Sequence, residues 1–227
     1  MYKKFLNDIY NFVFPPFCPC CGSKQQDDKI ICDMCEGELT TAEKSDLKRH
    51  YNEYFVETGK IKKLFSLYIF VKDSPIQSLI HKLKYENKFR IGLQLGYMWA
   101  RRFEGSEELT DLDYIIPVPL FHTKKAERGY NQSYYFALGI KKVLGIKIGL
   151  RMLKRRRATD TQTNLSKQQR IINVKGAFKV KNKRRLIGKK ILLFDDVITT
   201  GSTVNECARV LSEAGVKSII AGSIALA

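Results

Sequence analysis

Apolar and polar positions divide the chain into short segments, and the sharpest of them is Ile191-Leu192-Leu193-Phe194. Four successive apolar residues leave no polar face, as in a parallel strand covered on both sides. Asp195 and Asp196 follow where that strand is expected to end, and a tight loop of small hydroxyl residues surrounds Gly201. Val204, Cys207, Ala208, Leu211 and Ala214 then recur at helical spacing, with Gly215 placed to terminate the helix. Val216 to Ala225 is a further apolar run. Strand, helix and strand form a βαβ unit, for which a right-handed crossover is expected.

The same pattern predicts further elements upstream. Leu64 to Val71 reads as a strand. Ser74 and Pro75 have the types of an N-cap and a first helical residue, and Ile76, Leu79, Ile80 and Leu83 form one helical face. His81 falls on the outer face of that helix, and a second helix is expected over Arg90 to Arg102. Tyr114 to Pro119 is a short apolar strand ended by prolines. Phe136, Ala137, Ile140, Val143 and Leu144 give another helical stripe, and Ile146 to Ile148 a short strand. Ser166 is placed to cap a helix over Lys167 to Asn173, and Gly176 to Val180 resumes a strand. Alternating strands and helices of this kind specify an α/β domain with a parallel sheet and flanking helices. Residues 64–227 are assigned to it, and residues 1–63 to an N-terminal helix, a cysteine-rich unit and a linker.

The cysteines change the picture at the N-terminal end. Cys18, Cys21, Cys32 and Cys35 stand as C-x2-C-x10-C-x2-C, a spacing that lets four thiolates converge on tetrahedral zinc in a small ribbon. Four thiolates leave no open position on the metal, so no catalysis is assigned to it, and a ribbon that touches nucleic acid stands beside a purely structural one. Cys20 lies between the first two, and spacing does not separate it from Cys18 or Cys21 as a ligand. Disulfides are the rival use of these residues, favoured only in an oxidising compartment. Met1 to Phe14 carries Asn7, Asp8 and Asn11 within its apolar pattern and so lacks a signal-peptide core. No apolar run reaches the roughly 20 residues of a membrane span. A cytoplasmic protein with reduced thiols is expected.

Charge adds a partner class. Forty Lys and Arg against 23 Asp and Glu give a net charge of +17, which points to a polyanion such as nucleic acid or a phosphorylated ligand. The excess is concentrated in Lys124, Lys125 and Arg128, and again in Arg155, Arg156 and Arg157. Two readings of the first cluster stand equal: a solvated rim, or a site for pyrophosphate or a nucleic-acid backbone. The polar stretch after Arg157 has the composition of a flap closing over phosphates, or of a plain surface loop.

The run Ile191 to Phe194, the two acids, two variable residues and Thr199-Thr200-Gly201-Ser202-Thr203 together resemble the phosphoribosyl-pyrophosphate (PRPP) motif of the type I phosphoribosyltransferases. No lysine follows Gly201, as a nucleotide-triphosphate P-loop would require. The resemblance implies that Asp195 and Asp196 face the ribose hydroxyls and that Thr199 to Thr203 wrap the 5′-phosphate. It also implies a pyrophosphate loop at Pro117 and Val118. A helix N-terminus suits the phosphate, since its first amides lack intrahelical acceptors.

A narrower resemblance spans most of the chain. Ile80-His81-Lys82-Leu83-Lys84-Tyr85, Pro117-Val118-Pro119-Leu120, Arg128 to Ser133, Thr161-Gln162 with Leu165 and Arg170, Asn173 to Phe178 and the PRPP motif resemble, in order, the ComF-type competence proteins. Those join a zinc ribbon to a phosphoribosyltransferase-like domain. The resemblance implies a role in natural transformation and DNA uptake, with single-stranded DNA, PRPP and other DNA-uptake proteins as partners, structural zinc, and Mg²⁺ accompanying PRPP. Two classes of function are left open. One is a binding module for phosphoribosyl groups and single strands. The other is a Mg-dependent transferase that displaces pyrophosphate from the ribose, with Arg128 and Arg157 steadying the leaving group.

Overall fold

The computed structural model describes residues 17–25, 30–158 and 166–227. The helix expected over Met1 to Phe14 and most of the polar stretch after Arg157 lie outside the described residues. Behind a short helix α1 (Asp33–Gly37) and the longer α2 (Lys44–Tyr54), the chain enters β1 (Lys63–Ile69). Helices α3 (Pro75–Tyr85) and α4 (Phe89–Phe103) lead to β2 (Tyr114–Pro117). Then come α5 (His122–Arg128), α6 (Gln132–Leu144) and β3 (Lys147–Ile148). Strands β4 (Leu153–Arg155) and β5 (Phe178–Val180) flank α7 (Lys167–Val174), and β6 (Lys190–Ile198), α8 (Ser202–Ser212) and β7 (Ser218–Leu226) follow.

Strands β1, β7, β6, β2 and β3 lie side by side in that order, every pair parallel. Parallel strands need both faces covered, and the apolar runs in β6 and β7 follow from that. On one face α3, α4 and α6 pack against Phe65, Leu67, Ile115, Leu192 and Phe194, and Cys18, Ile31, Cys35 and Leu39 of the cysteine unit join the same core. Trp99 is its centre, with its ring edge-on to Phe194 at 5.2 Å between centroids. On the other face α8, residues of α2 and the antiparallel pair β4–β5 pack against Leu64, Ile191, Leu193 and Ile219. The parallel α/β architecture expected from the sequence is present, with helices on both faces.

Several local outcomes differ from the pattern-based reading. Strand β6 does not end at Phe194 but runs through Asp195 and Asp196 to Ile198. Its continuation is fixed by β7, since Asp195 pairs with Ser223 and Val197 with Ala225. Helix α8 ends at Ser212, with Glu213 at its C-cap, and Gly215 takes its left-handed turn (φ +88°) two residues beyond that. Ser74 stands at the N-cap of α3, but its hydroxyl donates backwards to the Val71 carbonyl at 2.6 Å, not onto the helix. The basic cluster around Lys124 is helical, and the stretch around Arg155 carries a strand because Arg155 pairs with Phe178.

Two connections leave an opening at one end of the sheet. From β2 the chain leaves to α6 on one face, and from β6 it leaves to α8 on the other. Neighbouring strands whose helices depart in opposite directions open a crevice at their carboxyl ends. The α4–α6 layer beside it is tight: a Cβ on Gly96 would lie 2.2 Å from the Phe136 carbonyl oxygen, and one on Gly139 would lie 2.1 Å from that of Leu93. Gly139→Ala is therefore expected to lower stability by about 1–3 kcal/mol, read as a lower urea midpoint. Gly37→Ala, whose added Cβ meets nothing within 4 Å, is the neutral comparison. An unmoved midpoint in Gly139→Ala would show that the helices do not approach this closely.

Candidate functional site

The site begins with Asp195 and Asp196 near the end of β6. Burial and mutual repulsion make adjacent carboxylates costly, so each needs partners. Lys84, from the last turn of α3, pairs with Asp196 at 2.7 Å. The other oxygen of Asp196 accepts the Val197 amide at 2.7 Å. Asp195 Oδ1 accepts the Asp196 amide at 2.9 Å and the Ser133 hydroxyl, from the first turn of α6, at 3.2 Å. Burial and the neighbouring Asp196 push the Asp195 carboxyl up to about 7. Burial acts in the same direction on Asp196, but the Lys84 ammonium and the Val197 amide outweigh it and hold that carboxyl below its usual range. One acid is thus fixed as an anion and its neighbour titrates near neutrality.

Beyond the strand, Gly201 adopts φ +63° and opens α8. A side chain there would be strained by that conformation and would also meet the Phe55 ring at 2.8 Å. The stretch after α2 thus backs the loop. Asn205 Nδ2 donates to the Tyr54 carbonyl at 2.8 Å, and Thr58 Oγ1 donates to Asn205 Oδ1 at 3.1 Å. On the open side Thr199, Gly201, Ser202 and Thr203 line the cleft, the last two in the first turn of α8. Thr200 is turned onto Ser202, hydroxyl to hydroxyl at 2.8 Å, and is not a lining residue.

The cleft between these groups measures about 470 Å³. Five cations, Lys84, Lys124, Arg128, Arg155 and Arg170, line it together with the two carboxylates. Burial and the nearby Arg155 and Arg128 charges depress the Lys124 ammonium. An anion bound among them would relieve that crowding. Arg170, from α7, donates to the Thr199 hydroxyl at 3.1 Å and so reaches the loop before α8. Val118 lines the wall, while Pro117 lies buried in β2 opposite Phe194 and does not. The Val118 carbonyl accepts the Asn131 side chain at 3.0 Å, tying that wall to the start of α6.

The three consecutive arginines separate. Arg155 faces the cleft and lies over the Phe178 ring at 5.2 Å. Arg157 instead donates to the carbonyls of Asn173 and Lys175 at 2.7 and 3.0 Å, and Arg156 to that of Gly176 at 3.2 Å. Their charges therefore sit at the carboxyl end of α7, where cations are favoured. Lys125 is exposed on α5 and outside the cleft. Lys84, Tyr85, Ser133 and Arg170 line the site although the motif reading gave them no role. The segments holding them were legible as matching stretches, without any local sign of what they touch.

Away from the cleft, the thiols of Cys18, Cys21, Cys32 and Cys35 all lie within 4.8 Å of one another. Tetrahedral zinc with bonds near 2.3 Å needs such convergence, so the cluster fits the metal. Cys20 is not one of these four; its sulfur lies 3.9 Å from the Pro75 carbonyl oxygen and also neighbours the Cys18 and Cys35 thiols. These thiols would hold the metal closed to solvent chemistry and pin the ribbon to the core through the buried Cys18 and Cys35.

Fold and site together define a phosphoribosyltransferase-type domain joined to a zinc ribbon. Residues 131–226 match the family model of the phosphoribosyl transferase domain, and residues 9–45 that of the double zinc ribbon domain. The chain is 32% identical over 208 residues to Competence protein F of Haemophilus influenzae, covering 90% of this chain and 82% of that one. It is 34% identical over 151 residues to the DNA utilization protein YhgH of Escherichia coli K12, covering 64% of each. With Competence protein ComFC of Bacillus subtilis it shares 26% over 199 residues, covering 87% of this chain and 72% of the other. The chain belongs to the competence protein F family. Among the described residues no helix is long and apolar enough to cross a membrane.

Two outcomes test the site. Asp195 is held neutral to higher pH in the folded state than in the unfolded chain, so stability falls as pH rises from about 4 to about 7. Its share of that slope is at most about 1.4 kcal/mol per pH unit. Asp195→Asn should therefore be more stable than the native protein at pH 8, with the difference closing towards pH 4, as read by urea unfolding. A difference that does not change with pH would mean that Asp195 is ionised throughout. For the ribbon, elemental analysis should find about one zinc per chain, retained in Cys20→Ser and lost in Cys35→Ser. Loss in Cys20→Ser would reassign the ligand set.

Proposed function

We propose that the cleft binds PRPP together with Mg²⁺, or the phosphoribosyl end of a related ligand, and that the protein serves single-stranded DNA handling in the cytoplasm during natural transformation. The observation that carries the first part is the placement of a carboxylate pair and the Thr199–Thr203 loop on one strand-to-helix connection, inside a cation-lined cleft. In this reading Asp195 and Asp196 accept hydrogen bonds from ribose hydroxyls. The amides and hydroxyls of the loop hold the 5′-phosphate at the head of α8. Lys124, Arg128 and Arg155 stand where they neutralise pyrophosphate, with Mg²⁺ entering as part of the ligand. Carboxylates among the phosphates would repel them, so the separation of acids from the phosphate loop supports this division of labour.

The second part rests on the family and on charge. Relatives carry the names competence protein and DNA utilization protein, and a net charge of +17 suits a polyanionic partner. Lack of a spanning helix among the described residues and a thiol cluster arranged as for zinc are consistent with work in the cytoplasm.

One arrangement favours a transferase beyond simple binding: Asp196 has the Lys84 ammonium at 2.7 Å, whereas Asp195 accepts the Ser133 hydroxyl and a backbone amide, and burial raises its carboxyl. A carboxylate of that kind can take a proton from an incoming nucleophile as its bond to C1 forms and the bond to pyrophosphate breaks.

Calorimetric titration with PRPP and Mg²⁺ tests the cleft. The native protein should bind, and Asp195→Asn combined with Asp196→Asn should bind at least about tenfold more weakly, since hydrogen bonds to charged groups contribute about 1.5–3 kcal/mol. Equal binding by both would remove the carboxylates from the ligand.

A further inference from the structure

We propose that a strip of aromatic and basic side chains, running from the mouth of the cleft over the turn between α3 and α4, is a stacking platform for single-stranded DNA. The inference rests on the DNA-handling reading above and assigns it a surface.

Tyr85 ends α3 at the cleft mouth and is 64% exposed; Phe89, the first residue of α4, is 43% exposed. His81 stands one turn before Tyr85, with ring centroids 4.9 Å apart. The Arg128 guanidinium lies over the Tyr85 ring at 5.4 Å from its centroid. Across the turn, Phe89 meets Tyr135 at 5.1 Å, and Tyr135 meets Tyr130 at 5.0 Å. The two groups are neighbours, because the Tyr130 hydroxyl donates to the Leu83 carbonyl and the Asn87 side chain abuts Gly129.

Single exposed rings are ordinary on protein surfaces. Here three exposed rings, His81, Tyr85 and Phe89, fall within one helix end and the turn after it, and the Arg128 guanidinium lies on one of them. Lys82, Lys88, Arg90 and Arg128 belong to the same segments, against Glu86 and Glu127. A protein partner would favour a surface depleted in lysine at its centre. A single strand satisfies both features at once, since every base has a face to stack and every phosphate a charge to neutralise. Duplex DNA keeps its bases stacked inside and offers the rings nothing. The strip also lies outside the pair Asp195 and Asp196, which would repel a phosphodiester chain entering the cleft.

Fluorescence anisotropy with a labelled thymidine oligomer of about 15 nucleotides tests the assignment. Tyr85→Ala and Phe89→Ala should each weaken binding about 5- to 150-fold at fixed salt. Tyr85→Phe, which keeps the ring, should bind as the native protein does. The dependence of affinity on salt should keep its slope in all three, because no charge is removed. Competition by polyphosphate, a polyanion without bases, should be unchanged, and a duplex of equal length should bind more weakly than the single strand. Thermal melting confirms that each variant is folded. If the native protein binds the oligomer and the alanine variants match it, or if they lose polyphosphate to the same degree, the platform is overturned and the DNA reading survives. If the native protein does not bind the oligomer, the DNA reading fails and the platform with it.

Discussion

Two adjacent, half-buried carboxylates near the end of a central strand are the constraint around which the site is arranged. Left alone they would repel each other and resist burial. The structure answers with groups from separate elements: Lys84 from α3, Ser133 from α6, and the strand's own amides. The answer is unequal. Asp196 receives an ammonium at 2.7 Å while Asp195 receives a hydroxyl at 3.2 Å, so the two carboxyls are shifted in opposite directions. An arrangement chosen only for stability would replace the pair with apolar residues. The pair instead lines the cation-rich cleft together with Thr199, Gly201, Ser202 and Thr203, which is the arrangement the proposed ligand reading uses.

The elements between the cysteines and the sheet contribute to that site from behind. Tyr54 and Phe55 press on Gly201, and Asn205 is bonded to the Tyr54 carbonyl. The cysteine cluster packs on the opposite face, where Cys18 and Cys35 join the core that holds α3 and α6. Metal in the ribbon and geometry in the cleft are therefore linked by continuous packing. Lys84 stands on α3, whose Pro75 carbonyl the Cys20 sulfur approaches at 3.9 Å, and the Thr199–Thr203 loop leads into the helix that the stretch after α2 supports.

Charge is partitioned across the surface of the molecule with some economy. Of three successive arginines, one serves the cleft and two satisfy carbonyls at or just beyond the end of α7. Arg128 works at a boundary, lining the cleft while lying over Tyr85 at its mouth. A small anionic ligand and a long polyanion would thus meet different surroundings within a short distance: acids and a helix terminus inside, rings and scattered cations outside.

How much of this was legible in the chain depends on the range of the interactions. The unit from Ile191 to Ala225 was readable because a buried strand, a glycine turn and an amphipathic helix each leave a short-range pattern. The cysteine spacing was readable for the same reason, since a pair of turns places its own thiols. The strand's continuation through Asp195 and Asp196 was not, because β7 dictates it by pairing, against the polarity of the residues. Nor could spacing tell Cys20 from its neighbours, as only the folded turns show that the thiols of Cys18, Cys21, Cys32 and Cys35 converge. Which of Arg155, Arg156 and Arg157 turns inward depends on the register of β4 against β5, and one residue of slip would exchange their faces. Lys84 shows the limit most plainly. Nothing around it in the chain indicates a carboxylate, and its partner arrives only when α3 packs across the carboxyl end of β6. Local pattern fixed the elements and the motif; which distant side chains complete the site was decided by packing, because that is where charges far apart in the chain first come within reach of one another.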